Sequence, residues 1–152
     1  MYYGSRGSYT PGHCDILGTL GHNLMLDAEE DSGAIWFCIA SKDQDKAEAL
    51  WKAHEQDLHA DNSFLPIAAL KEANFPIYII DQKPGDLVLI PSNGAHQVMN
   101  YGAASLKFAW NRLDIKILDS VMETLVRKKL GKKKFFFLVF FFFIFLCLMQ
   151  KS

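Results

Sequence analysis

Cysteine is scarce in this sequence of 152 residues, and the three cysteines do not form a recognisable set. Cys14, Cys38 and Cys147 are widely separated, and none lies in the CxxC spacing of a zinc site. We therefore infer that no disulfide framework supports the fold and expect a reducing, intracellular compartment. The first ten residues also lack the charged start and apolar core of a signal peptide. Because they already read as a strand, we expect that sequence upstream of the domain is missing.

Positive charge is sparse in most of the chain. Residues 1–126 contain all 17 acidic residues but only 9 of the 16 basic ones, a balance of −8 that the formal net charge of −1 conceals. An acidic body argues against binding to a phosphate backbone. Direct nucleic-acid binding is therefore not expected.

A single long apolar run lies near the C-terminus, at residues 135–149, directly after a basic segment at 127–134. Fifteen helical residues would span about 22 Å, which is less than the roughly 30 Å of a bilayer core, although flanking lysines could extend the span. One interpretation is a C-terminal membrane anchor. The other is a truncated gene model, because eight of the fifteen residues are Phe, a low-complexity bias.

Short apolar segments bounded by turn residues predict a mainly β fold. Strands are predicted at 2–10, 34–40, 76–80, 86–90, 97–100 and 105–112, with a buried strand pair bent at its glycines over 16–26. Helical spacing predicts an insert with helices at 43–58 and 64–73, and a further helix at 114–130. These elements favour a β-barrel or jelly roll over residues 1–113, followed by a helix and basic segment at 114–134 and the hydrophobic tail at 135–149.

The triplet His13-Cys14-Asp15 is the candidate chemical centre. Residues two apart project from the same face of a strand, so one imidazole and one carboxylate could occupy adjacent positions around a metal. A second imidazole from His96 would complete a set of two histidines and one carboxylate, which is typical of non-haem Fe(II) oxygenases. A bare HxD triplet is weak evidence, since a surface turn with two solvated side chains is the commoner origin of such a triplet. His22, His54 and His59 are interpreted as structural or solvated.

The order YYG, TPGHCD, GHN, AIWFCIAS and PGDLVLIPSNGAHQVMNYG over residues 2–112 resembles the Jumonji C (JmjC) domain. The resemblance implies a double-stranded β-helix, of the jelly-roll or cupin type, with Fe(II), 2-oxoglutarate and O₂ as cofactors. It also implies that His13, Asp15 and His96 are the iron ligands. A protein or peptide substrate, with histone as the class that the family suggests, and a nuclear location follow from the same resemblance.

The same resemblance assigns Thr10 and Asn23 to the far carboxylate of 2-oxoglutarate. The family's usual lysine falls two residues before the strand tryptophan, where this chain has Ala34. Lys107 is a candidate replacement, because alternation places it with Ser105 and small residues on one face of the last strand. The alternative hypothesis is an ordinary exposed lysine.

Three functions stay open at this point. The first is an Fe(II)- and 2-oxoglutarate-dependent dioxygenase that hydroxylates or demethylates a protein side chain. The second is a catalytically impaired binding or scaffold protein, because Ala34 replaces the lysine. The third is a metal-binding cupin without oxygenase chemistry, which would not need Thr10 and Asn23. Among the aromatic residues, Tyr2 and Tyr3 are predicted to pack in the barrel, with the substrate mouth as the alternative position. Trp36 and Trp110 are predicted to belong to the core.

Overall fold

The computed structural model describes residues 1–60 and 62–114. The helix predicted from 114 therefore lies outside the described residues apart from its first residue, as do the basic segment and the tail at 135–149. Among the residues that are described, no helix is both long and apolar enough to cross a membrane.

In this part of the chain eight antiparallel strands form two four-stranded sheets. The strands are β1 (Tyr2–Ser5), β2 (Tyr9–Cys14), β3 (Leu20–Ala28), β4 (Gly33–Ile39), β5 (Tyr78–Gln82), β6 (Leu87–Ile90), β7 (Ala95–Tyr101) and β8 (Ala104–Arg112). One sheet has the order β1-β8-β3-β6 and the other the order β2-β7-β4-β5, so each mixes strands from both ends of the domain. The predicted mainly β, double-stranded β-helix is confirmed.

A helical insert connects β4 to β5. It contains a 3₁₀ turn at Ser41–Asp43 and two helices, α1 (Gln44–Ala53) and α2 (Ile67–Leu70). Both helices are shorter than predicted. Glu55 adopts a left-handed conformation with φ of 58°, which is incompatible with a continuing helix after α1. Pro66 disfavours helical backbone at the residue before it, so α2 begins only at Ile67.

The predicted strand pair over residues 16–26 is wrong. The structure has a 3₁₀ turn at Ile16–Gly18 and then a single strand, β3. The two glycines in this segment do not form the predicted bend between two strands. Gly18 adopts a positive φ of 60° at the end of the turn. Gly21 lies within β3, where a side chain would collide with Asp15.

The core has two parts, which lie on opposite faces of β4. Trp36 and Ala34 belong to a cluster between the two sheets, whereas Phe37 and Ile39 face the helical insert and its buried Trp51. This division follows from the alternation of side chains along a strand. The prediction that Trp36 is a core residue is confirmed, and the cluster between the sheets forms the floor of the site described next.

Candidate metal centre

Three titratable side chains converge at one end of the barrel. His13 near the end of β2 pairs directly with His96 of β7, and their ring centroids lie 4.2 Å apart. Asp15 follows β2 immediately, just outside the strand. One ligand atom from each of the three residues lies within 4.8 Å of the others. The set that the sequence suggested is therefore brought together, although only His13 of the HxD pair lies in the strand.

Both imidazoles are held in the tautomer that a metal ligand needs. The Nδ1–H of His13 donates to the Pro11 carbonyl at 2.8 Å, and that of His96 donates to the Gly94 carbonyl at 3.3 Å. Because a carbonyl only accepts, the proton is fixed on Nδ1 and Nε2 keeps its lone pair. A backbone carbonyl bound to the remote ring nitrogen is the usual support of a ligating histidine.

Burial favours the neutral form of His96. It lowers the pKa of His96 to about 4, with a further lowering from the neighbouring His13 and an opposing increase from Asp15 and the Gly94 hydrogen bond. His96 is consequently uncharged at neutral pH, which keeps Nε2 available to coordinate a cation.

The carboxylate of Asp15 lies against Gly21, and one of its oxygens lacks a hydrogen-bond donor in the described part of the chain. Its Oδ2 is buried and has no hydrogen-bond partner within the described residues. A Cβ at position 21 would lie 2.1 Å from this oxygen, so Gly21 is what gives the carboxylate its space. A buried anionic oxygen without a donor is costly unless a cation meets it. Together with two neutral imidazoles, it makes a donor set that suits a divalent metal such as Fe(II).

A β-bulge positions His13. The register between β2 and β7 shifts between Thr10 and His13. Within the bulge the Gly12 N–H leaves the ladder and donates to the Ser63 carbonyl at 2.7 Å. The Trp51 ring lies so close that a Cβ on Gly12 would come within 2.4 Å of it. Bulges of this kind redirect side chains beside functional sites, and here the insert fixes the bulge.

A cavity of about 290 Å³ opens above the three residues. Every site residue proposed from the sequence lines this cavity: Thr10, His13, Asp15, Asn23, His96 and Lys107. The cavity is thus continuous from the candidate metal position to the residues that the resemblance assigned to a dicarboxylate. Its floor includes Trp36, whose ring stacks on His96 with centroids 5.6 Å apart.

Lys107 is a buried cation in this cavity. It is only 5% exposed, whereas Phe108 and Trp110 on the opposite face of β8 are 45% and 39% exposed, as the predicted alternation requires. Its ammonium donates to the Oδ1 of Asn100. Burial lowers the pKa of Lys107 to about 8. No described acidic residue forms an ion pair with Lys107, so its charge is available to an anionic ligand.

Ala34, at the family's lysine position, is completely buried and packs in the cluster between the sheets. It pairs with Asn100 in the register of β4 and β7. Asn100 is also the residue that receives the Lys107 ammonium. The Lys107 ammonium, which comes from β8, therefore lies near the position that Ala34 occupies on β4.

Two residues that support the candidate site were not recognised in the sequence. Gln82 hydrogen bonds to the side chain of Asn23 and to the Trp36 indole, but it falls between the strands predicted at 76–80 and 86–90. Gly21 was interpreted as a bend. A glycine within an apolar strand can also indicate that another group approaches the backbone closely, and this was the signal that the sequence offered for Gly21.

Two predictions about aromatic residues are wrong. Tyr2 and Tyr3 are 62% and 73% exposed and line the cavity mouth instead of packing in the barrel, because β1 is an edge strand. Trp110 is not a core residue either. It lies on the outer face of β8, where its ring stacks on His22 at 5.0 Å.

Comparison with known proteins agrees with this architecture. A family described as JmjC domain, hydroxylase matches residues 1–111. The chain is also similar to C-module-binding factor A of Dictyostelium discoideum, with 40% identity over 119 residues. That alignment covers 78% of this chain but 12% of the length of the relative. The fold, the placement of the two histidines and the aspartate, and the extent of the match lead to one conclusion: the chain belongs to the JmjC family.

Proposed function

We propose that this domain is an Fe(II)- and 2-oxoglutarate-dependent dioxygenase that hydroxylates a protein side chain, or demethylates it by hydroxylation. The observation that carries the proposal is the convergence of His13, Asp15 and His96 with both Nε2 atoms available. The JmjC family is of the Fe(II)/2-oxoglutarate oxygenase type, which supports the same chemistry.

The three side chains would hold the metal on one side and leave its other positions open. Two neutral imidazoles and one carboxylate give a ferrous site a charge of about +1, which attracts a dianion. When bound, Fe(II) supplies the activation of O₂. The chain contributes the geometry: the backbone carbonyls orient both rings, Gly21 leaves room for Asp15, and the Trp36 ring stacks on His96.

At the other end of the cavity, we assign Lys107, Asn23 and Thr10 to the far carboxylate of 2-oxoglutarate. Of the lysines and arginines in the described residues, Lys107 alone lines the cavity. An ammonium, an amide and a hydroxyl together supply the donors that a carboxylate accepts. In this assignment Lys107 on β8 replaces the lysine missing at Ala34.

The substrate is proposed to be a protein or peptide, with histone lysine as the class that the family suggests, in the nucleus. The mouth of the cavity supports a polypeptide substrate, because Tyr2, Tyr3 and Tyr9 present large exposed aromatic surfaces there. Aromatic rings of this kind are frequent at protein-binding surfaces.

One observation favours a second candidate, a binding protein with impaired turnover. Ala34 is enclosed in the core, so position 34 offers no cation to the cavity. If Lys107 does not serve the cosubstrate, the domain would bind its partner without oxidising it.

The two candidates are separated by measuring succinate formed from 2-oxoglutarate in the presence of Fe(II) and O₂. The oxygenase proposal predicts succinate from the unaltered protein and none from His13→Ala. Peptide products are then examined by mass, where hydroxylation adds one oxygen and demethylation removes one methyl group. Metal binding without succinate would favour the binding protein, and failure to bind metal would overturn both the oxygenase and the metal site.

A further inference from the structure

Gln82, the last residue of β5, is completely buried although its side chain is polar. Its amide is satisfied on both sides. The Oε1 accepts from the Trp36 indole N–H at 2.8 Å. The Nε2 donates to the Asn23 carbonyl at 2.9 Å, to the Asn23 Oδ1 at 3.2 Å and to the Asp86 carbonyl at 3.3 Å. One side chain therefore connects β3 and the residue that precedes β6 in one sheet to β4 in the other.

Both side chains that bind Gln82 line the cavity, while Gln82 is not among the lining residues. Trp36 stacks on His96, one of the three candidate metal ligands. Asn23 belongs to the proposed 2-oxoglutarate end. Gln82 is thus placed behind the cavity wall, in contact with one residue from each end of the site.

The direction of these hydrogen bonds determines what Asn23 presents to the cavity. Because the Trp36 N–H only donates, it must be met by the oxygen of the Gln82 amide, and the NH₂ is then directed to Asn23. Asn23 accepts with Oδ1. This leaves the Nδ2 of Asn23, a pure donor, for another partner, and no described residue accepts from it. A donor is what a ligand carboxylate requires at this position.

We propose that Gln82 is a positioning residue: through the Trp36 indole on one side and the Asn23 amide on the other, it orients Asn23 as a donor to the far carboxylate of 2-oxoglutarate. The inference rests on the proposed function and adds a residue to it. It predicts that Gln82 acts on cosubstrate affinity only through Asn23. If the Gln82 hydrogen bonds were purely structural, replacing Gln82 would change the stability of the fold, and its effect on 2-oxoglutarate affinity would not depend on Asn23.

A double-mutant cycle separates these roles, because residues that act through each other are non-additive. The affinity for 2-oxoglutarate is measured calorimetrically on protein loaded with Mn(II), a metal that does not turn over. The variants are Gln82→Met, which keeps the length and removes both hydrogen bonds, Asn23→Ala, and the double variant. Thermal unfolding of each variant is followed in parallel. Trp36→Phe keeps an aromatic ring and removes the N–H. It provides a matched background in which the hydrogen bond between Trp36 and Gln82 is absent.

We expect Gln82→Met to weaken 2-oxoglutarate binding about tenfold, the effect of one hydrogen bond to a charged group. In the Asn23→Ala background the same substitution should change the affinity by less than about twofold. If Gln82→Met does not fold, Gln82→Glu takes its place in the cycle, since an ionised carboxylate would face the Asn23 Oδ1. Equal effects in both backgrounds, or unchanged affinity in a folded variant, would overturn the positioning role alone. Absence of 2-oxoglutarate binding by the unaltered protein would instead overturn the proposed function together with this inference.

Discussion

His13 and His96 pair directly across the antiparallel strands β2 and β7, and their rings lie 4.2 Å apart. Two residues far apart in the sequence thus become neighbours through the ladder itself. Asp15, immediately after β2, joins them to complete the cluster. The metal site therefore depends on the β2–β7 register and on the space around the Asp15 carboxylate.

Gly21→Ala should reduce metal affinity. A Cβ at this position would lie 2.1 Å from the Asp15 Oδ2 and 3.1 Å from the Ile90 side chain, so the carboxylate has to move. Disturbing the support of a ligand typically costs about 10- to 100-fold in metal affinity. Titration with Mn(II) measures the effect, with Leu26→Ala on the same strand as the control. The account is contradicted if Gly21→Ala weakens metal binding equally in an Asp15→Ala background.

Lys107→Met should weaken 2-oxoglutarate binding while leaving metal binding unchanged. A hydrogen bond to a charged group is worth roughly 1.5–3 kcal/mol, which corresponds to about a 10- to 100-fold loss of affinity. Calorimetric titration of the Mn(II)-loaded protein measures it. Lys83→Ala, which removes an exposed lysine, is the matched control. Unchanged affinity in Lys107→Met would remove Lys107 from the site.

The affinity for 2-oxoglutarate should fall as the pH rises above about 8. Burial lowers the pKa of Lys107 to about 8, so the ammonium is present below that pH and is lost above it. A dianion gains from the charged form only, and binding therefore weakens in the alkaline range. Lys107→Arg keeps its charge throughout and should abolish this dependence. Binding that is flat between pH 7 and 9.5 in the unaltered protein would contradict the assignment.

Gln97→Ala should lower the free energy of unfolding. The buried Gln97 amide accepts from the Leu65 N–H at 3.0 Å and donates to the Leu65 carbonyl at 2.8 Å. Losing both bonds leaves two buried backbone groups unpaired, at about 1–3 kcal/mol each in the free energy of unfolding. Urea denaturation measures the change. Gln44→Ala removes a side-chain hydrogen bond to the partly buried Glu48 and should change the unfolding free energy by less than about 0.5 kcal/mol.

Local patterns were sufficient to predict most of the strands. Alternation on β8 correctly separated Lys107 from Phe108 and Trp110, because side-chain direction in a strand depends only on parity. The ends of the insert helices were less predictable. The helical periodicity past Ala53 gave no sign that Glu55 would adopt a positive φ.

Contacts between distant strands were not predictable from one sequence. The resemblance implied that His13 and His96 share a metal, but the β2–β7 register that pairs them was not predicted. The same holds for Gln82, whose partners Trp36 and Asn23 come from two other strands. The exposure of Tyr2 and Tyr3 follows from the edge position of β1, which is a property of the assembled sheet.

The amount of iron retained by the protein tests the central claim most directly. Purified protein is dialysed against Fe(II) without oxygen, and the bound iron is quantified for the unaltered chain, His96→Ala and His54→Ala. His54 lies outside the cluster and pairs with Glu72, so it is the matched histidine control. The account predicts one iron per chain for the unaltered protein and for His54→Ala, and almost none for His96→Ala. Equal iron in His96→Ala and in the unaltered protein would contradict it.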